Sequence, residues 1–386
     1  GHHKAKPKQV KYGPTNRNRC SWCFSPDSTR HGRGLKLAIR QGFLPVTPFQ
    51  MARSAFYAAH WAAARRFSGP ITRPGDVAPK LTSKAPQPAE IRRSYLDVYA
   101  QDNANIASGL YRAASALKAS KVGNLIATSM RFLAEIPRVD ERRLKNAGTE
   151  VRALAGSEKF PAYYRQNFHW QTGGWLTQES AQLYDFQVEA LFAGTAAAMR
   201  RTTVLALLAD ALQGHDQRQT RVLDLGCGTG SFAAEIMVNY PRLKLTALDM
   251  SPAYAAKARS NLRAWRSAEV CTGAAESLPF PDASFDCIIS VYLFHELPPK
   301  VRRSAFAEIA RVLKPSGTFI LADALQTGDN RDLDAMLEYF PIGFHEPYFK
   351  SWLDTDLISL AKPVGLEATS KRQALLTKAI AFQRPS

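Results

Sequence analysis

Apolar residues recur at helical spacing through the first half of the chain and gather into short runs in the second. Met51 to Arg66 carries a helical apolar stripe, and Ala89 to Leu117 puts Ile91, Tyr95, Val98, Tyr99, Ile106 and Tyr111 on recurring faces. Val122 to Ile136 predicts another helix, ended by Pro137, and a short one follows around Glu141–Leu154. Pro70 to Pro88 reads as a linker between these segments. Gln178 to Leu212 predicts one or two helices that lead into a first strand, Val222 to Leu225, apolar throughout except for Asp224. A helix over Ser231–Tyr240 and a second strand over Leu243–Leu248 complete a strand–helix–strand unit, the signature of a parallel sheet.

The link between that first strand and its helix carries the chemistry. It reads Asp224-Leu-Gly226-Cys227-Gly228-Thr229-Gly230, and the second strand ends on Asp249. Glycines let the backbone turn tightly and approach a ligand where a Cβ would intrude. A carboxylate at the end of the second strand can accept hydrogen bonds from a ribose diol. A dinucleotide fingerprint has G-x-G-x-x-G spacing and places a pyrophosphate at the helix start. Here the spacing is G-x-G-x-G with an acid ahead of it, which repels a pyrophosphate and suits a ligand bearing an ammonium group. The expected ligand contains a nucleoside and presents an ammonium group.

These segments resemble the motif of class I S-adenosylmethionine (SAM) dependent methyltransferases. Gly273-Ala-Ala-Glu-Ser-Leu-Pro-Phe280 resembles the loop after the family's third strand, where adenine rests, although Ala274 stands where the family commonly has Asp. Ser284 to Pro298 looks like the fourth strand with its active-site turn, and Glu308 to Asp323 like the helix, turn and fifth strand. Leu366–Ser370 and Leu375–Arg384 would form the final antiparallel pair. The resemblance covers roughly residues 180–386 and implies a Rossmann-like α/β sheet of seven strands. It also implies SAM as cofactor, held by Asp224, Gly226, Cys227, Gly228, Thr229, Gly230, Asp249, Met250, Ala275, Glu276 and Ser290. The loops are most similar to the small-molecule branch, which includes quinone C-methyltransferases. The whole-chain pattern is similar to a bacterial enzyme of that class with a helical N-terminal extension. The expected division is a basic, poorly structured segment and linker over 1–85, a helical subdomain with an aromatic lid over 86–177, and the SAM-binding domain over 178–386.

Charge sharpens this division. Of the net +18, residues 1–150 hold +17, from 26 Lys and Arg against nine Asp and Glu, so the catalytic part is close to neutral. Residues 1–50 carry ten basic residues and one acid, a composition that disfavours a packed core. Gly1-His2-His3 reads as a tag remnant and Met51 as the natural start; an organellar transit peptide is the rival reading of this Arg-rich stretch. Cys20-Ser-Trp-Cys23 lacks the second ligand pair of a zinc site, so no metal is expected. Five cysteines, mostly in predicted core elements, indicate a reducing compartment: cytoplasm, or mitochondrial matrix if a transit peptide is present. No apolar run reaches the length of a membrane span.

Tyr163, Tyr164, Phe168, His169, Trp170 and Trp175 crowd one aperiodic stretch with a Gly173-Gly174 pair that would let it bend. It is expected to close over the site, or to glue the helices to the sheet, with Asp323 and Tyr348 on the acceptor side. Methyl transfer to a hydroxyl, acidic carbon or thiol gains from a base. His295, Glu296 and His345 are the candidates. The turn after the fourth strand lacks the Asn/Asp-Pro-Pro-Tyr/Phe sequence of amino-directed methyltransferases. The expected acceptor is therefore a small molecule. An RNA methyltransferase using the basic N-terminal region, or a non-catalytic SAM-binding protein, are the alternatives.

Overall fold

The computed structural model describes residues 46–69, 81–112 and 119–386. The Cys20/Cys23 pair and Gly1–His3 lie outside the described residues, as does most of the linker. The described residues form one compact unit.

Helix α1 spans Pro48–Phe67, with Pro48 in its first turn and a capping box in which Thr47 and Gln50 exchange side-chain and backbone hydrogen bonds. A poorly structured segment running to residue 85 is therefore corrected here. The apolar stripe of α1 docks through Tyr57, whose ring lies 5.2 Å from Phe186, and Arg53 pairs with Glu189 at 3.1 Å. Helix α2, Pro88–Ala107, is shorter than its pattern predicts. Gly109 takes φ +76°, and Tyr111 folds back to donate to Asp102 at 3.0 Å. Helix α3, Ala119–Leu144, runs through Pro137 instead of stopping there. The exposed proline costs one backbone bond, and the turn beyond it is anchored by Arg142 to Glu150 and by Arg143 to Asp140. The short helix expected around Glu141–Leu154 is in fact the end of α3 and a separate 3₁₀ turn, Glu150–Ala153.

Helices α4 (Gln178–Leu191) and α5 (Ala196–Ala211) meet at 86°. The sheet follows, built from β1 (Arg221–Leu225), β2 (Lys244–Asp249), β3 (Ala268–Thr272), β4 (Phe285–Val291), β5 (Leu313–Ala324), β6 (Glu367–Ala374) and β7 (Thr377–Gln383). Its order is β3-β2-β1-β4-β5-β7-β6, with β7 antiparallel to both neighbours and the other pairs parallel. Helices α6 (Ser231–Asn239), α7 (Pro252–Leu262) and α8 (Pro299–Val312) are the crossovers, and α9 (Asp334–Gly343) follows β5.

Alternation along the strands divides the core between the two faces. Val222, Ile289 and Ile320 pack with α5 and α6, while Leu223, Ile288 and Phe319 pack with Phe306 and Ile309 of α8. The strand order reverses between β1 and β4. That switch point, at the carboxyl ends of the strands, is where an open α/β sheet binds ligands. Among the described residues no single helix is long and apolar enough to cross a membrane.

Candidate active site

The glycine turn takes the shape its sequence demands. Gly226, Gly228 and Gly230 have φ of +75°, +56° and +71°. A Cβ on Gly226 would come within 3.1 Å of Leu293, and one on Gly230 within 2.9 Å of Ala258. Gly226 N and Cys227 N donate to Leu248 O at 2.8 and 2.9 Å. Gly228 N donates to Asp249 Oδ2 and Ser251 N to Asp249 Oδ1, both at 2.8 Å. The acid at the end of β2 thus shapes the turn while its remaining lone pairs face a cavity of about 720 Å³. Burial raises the Asp249 pKa to about 6 against these hydrogen bonds.

Met250, Ala275 and Glu296 join Gly226, Gly228 and Asp249 in that first cavity, with Tyr163, Tyr164, Phe168 and Trp175 from the aromatic stretch. Glu276 stands just behind and accepts from Tyr163 OH at 2.6 Å. Thr229 is buried and donates to Asp185 Oδ1 at 2.8 Å, and Cys227 is buried, which pushes its thiol pKa well up. Around this cavity Asp224 Oδ2, Glu276 Oε2, Ser290 Oγ and Arg200 Nε are buried without a hydrogen-bond partner. Burial and then the Asp249 charge hold Asp224 up to about 7.

A second cavity, of about 600 Å³, adjoins the first, and Tyr184, Tyr292 and Glu296 belong to both. His295 and His169 face it among Val188, Met336, Leu337, Phe340 and Phe349. His295 Nδ1 pairs with Asp323 Oδ1 at 2.6 Å, and its backbone N donates to Asp323 Oδ2 at 3.2 Å. Burial opposes charge on this imidazole, but Asp323, Glu346 and Glu296 outweigh it and hold the pKa up to about 9. Glu296 accepts from Trp175 Nε1 at 2.9 Å, and burial raises its pKa. His169 Nε2 lies 3.1 Å from Glu346 Oε1, and burial lowers its pKa to about 3. Its backbone is left-handed, φ +54°, a strained conformation of the kind that gathers at functional sites.

Other expected residues stand elsewhere. His345 is corrected as a candidate base: its ring packs at 4.8 Å on Trp170, its Nε2 meets the Gln166 amide at 3.0 Å, and it lines none of these cavities. The next residue, Glu346, turns inward instead. Trp170 is buried against His345, with Arg142 bonded to its carbonyl, so it glues rather than covers. Tyr348 backs the aromatic cluster of Phe168, Trp175 and Tyr254 without lining a cavity. The sequence reading missed Tyr184, Asp185, Arg200 and Tyr292. A helical face with Tyr184 and Val188 at i, i+4 was the available signal for the first. Among the described residues no group of three or more His, Cys, Asp or Glu could hold a metal ion.

Residues 222–317 match a methyltransferase domain family. A malonyl-[acyl-carrier protein] O-methyltransferase of Geobacter sulfurreducens is 38% identical over 102 residues, 26% of this chain and 38% of the relative. An uncharacterised methyltransferase of Synechocystis is 32% identical over 151 residues, 39% of this chain and 68% of the relative. A demethylmenaquinone methyltransferase of Deinococcus radiodurans is 33% identical over 144 residues, 37% of this chain and 56% of the relative. The match thus spans less than two thirds of the first and third relatives' own lengths. A SAM-dependent methyltransferase of Methanosarcina mazei, known by crystal structure, is 21% identical, with 45% of this chain and 96% of that one covered at a TM-score of 0.37.

Proposed function

The chain belongs to the class I SAM-dependent methyltransferases, and on that premise we propose that it methylates a small acceptor in the second cavity, with His295 as general base. The observation that carries this reading is the shared wall of Tyr184, Tyr292 and Glu296, where a cofactor in one cavity and an acceptor in the other would meet.

The residues fit SAM. Asp249 would hold the ribose, and the loop of Ala275 and Glu276 would flank the adenine. An ammonium and a carboxylate are the groups that the unpartnered Asp224 and Arg200 lack. When bound, SAM supplies a sulfonium methyl that reacts with a nucleophile in line.

The protein's own task is to position that nucleophile, exclude water and take its proton. Asp323 holds the His295 ring through Nδ1, and Nε2, 4.0 Å from Glu296 Oε1, is the atom left to take a proton from the acceptor. Tyr163, Tyr164 and Trp175 cover the cofactor, and the aromatic and aliphatic walls of the second cavity exclude water from the acceptor. These apolar walls, in place of a basic groove, favour a small molecule over RNA. In this reading the helices before residue 178 form the acceptor-side cover, and 178–386 form the methyltransferase domain.

The raised pKa of His295 favours a second reading, in which its imidazolium orients an acceptor carboxylate. The two differ in kinetics: loss of a base lowers kcat, whereas loss of an anion-binding group raises KM. The test is SAM labelled in the methyl group, offered with phenols, hydroquinones and carboxylic acids. Labelled product that is lost in His295→Ala is the expected outcome. Undiminished product from that variant would remove the base.

A further inference from the structure

A third cavity, of about 730 Å³, continues the series beyond the second, and His169, Tyr184, Val188 and Leu191 belong to both. Tyr184, Val188 and Leu191 stand at i, i+4 and i+7 on α4, so one face of this helix forms a continuous floor from the cofactor cavity to the third. The rest of the third cavity comes from α1 and α3, chiefly Trp61, Ala64, Phe132, Ile136 and Val139, with Phe344. These helices lie before the segment that matches the methyltransferase domain family.

The walls change character along this path. His295, Glu296 and Tyr292 gather at the end nearest the cofactor cavity. In the third cavity the carboxylate of Glu135 is already committed, accepting from Thr172 N at 3.1 Å and from the Thr172 hydroxyl. What remains is mostly aromatic and aliphatic surface. Pockets walled in this way hold the apolar part of a ligand, while a few polar groups fix its orientation.

We propose that the third cavity is a binding site for an apolar chain, the tail of an acceptor whose reactive head lies beside His295. The identity of the head rests on the methyltransferase reading; the tail site rests on the joined cavities. An elongated amphiphile satisfies both ends, with a polar head at the methyl-transfer junction and a hydrocarbon chain between α1, α3 and α4.

The test uses the full chain and dansyl-undecanoic acid, whose fluorescence rises in an apolar site. Saturated acids from butanoic to hexadecanoic then compete for it. Competitor affinity is expected to rise roughly three- to fourfold per added methylene until the chain fills the site. Ala64→Trp, which plugs only the third cavity, should abolish the gain for the long acids and leave S-adenosylhomocysteine affinity unchanged by calorimetry. No fluorescence rise, or affinities independent of chain length, would overturn the proposal, as would a length series unaltered in a folded Ala64→Trp variant. If that variant does not fold, the length series of the unmodified chain decides alone. A length series as expected in a protein that fails to bind S-adenosylhomocysteine would support the tail site and remove the methyltransferase reading.

Discussion

Trp175 donates its indole Nε1 to Glu296 Oε2 at 2.9 Å, joining the aromatic stretch to the turn after β4. Both residues line the first cavity, so its aromatic cover and the wall it shares with the second cavity are one hydrogen-bonded unit. Trp175→Phe keeps an aromatic ring, though a smaller one, and leaves a buried carboxyl without this donor. It should lower stability by about 1–3 kcal/mol, read as a fall in Tm. An unchanged Tm would show that Glu296 finds another donor at no cost.

The two roles expected of the aromatic stretch divide by residue. Tyr164 lines the first cavity, whereas Trp170 packs on His345. Tyr164→Ala should weaken S-adenosylhomocysteine binding with a small change in Tm. Trp170→Ala should lower stability by about 3–5 kcal/mol and bind the ligand normally while folded. The opposite pattern, by calorimetry and thermal melting, would reverse the assignment.

Rate and pH follow from His295. Its folded pKa lies near 9, so the neutral form that accepts a proton gains population only as pH rises through that value. As a base it predicts kcat/KM climbing with pH toward a plateau above about 9. Asp323→Asn removes a carboxylate that raises the pKa, so the profile should move to lower pH, with a rate loss on the order of a hundred- to ten-thousandfold. A rate that instead falls as pH rises through about 9 would favour the imidazolium orienting an anionic acceptor.

Asp224 predicts a trade between function and stability. Its pKa is raised from 3.8 to about 7, so between these values the native state binds more protons than the unfolded chain. Its contribution to stability therefore falls as pH rises across that window. Asp224→Asn should raise the Tm of the cofactor-free protein more at pH 8 than at pH 4, while weakening SAM binding. A Tm difference independent of pH would contradict the raised pKa.

Much of the site was legible because strand, glycine turn and strand-end acid are local patterns. Gly226, Gly228, Gly230 and Asp249 meet within one βαβ unit, where spacing along the chain sets position in space. Tyr184, Asp185 and Arg200 lie on helices, where spacing defines a face but only tertiary packing decides what it meets. His345 and Glu346 show a sharper limit. In a segment without periodicity, neighbouring side chains take opposite directions, and the carboxylate turned inward where the histidine was expected. Pro137 failed as a helix stop because long-range anchors beyond it, from Arg142 to Trp170 and Thr172 and from Gly69 to Asp140, outweighed one missing hydrogen bond.

The first and second cavities meet at Tyr184, Tyr292 and Glu296, where the proposed reaction places the transferring methyl. A crystal structure of the complex with S-adenosylhomocysteine tests it most directly. Both ribose hydroxyls are expected within hydrogen-bond distance of Asp249, with the sulfur directed at the shared wall, in line with open space beside His295. A ribose away from Asp249, or a sulfur sealed from the second cavity, would contradict it.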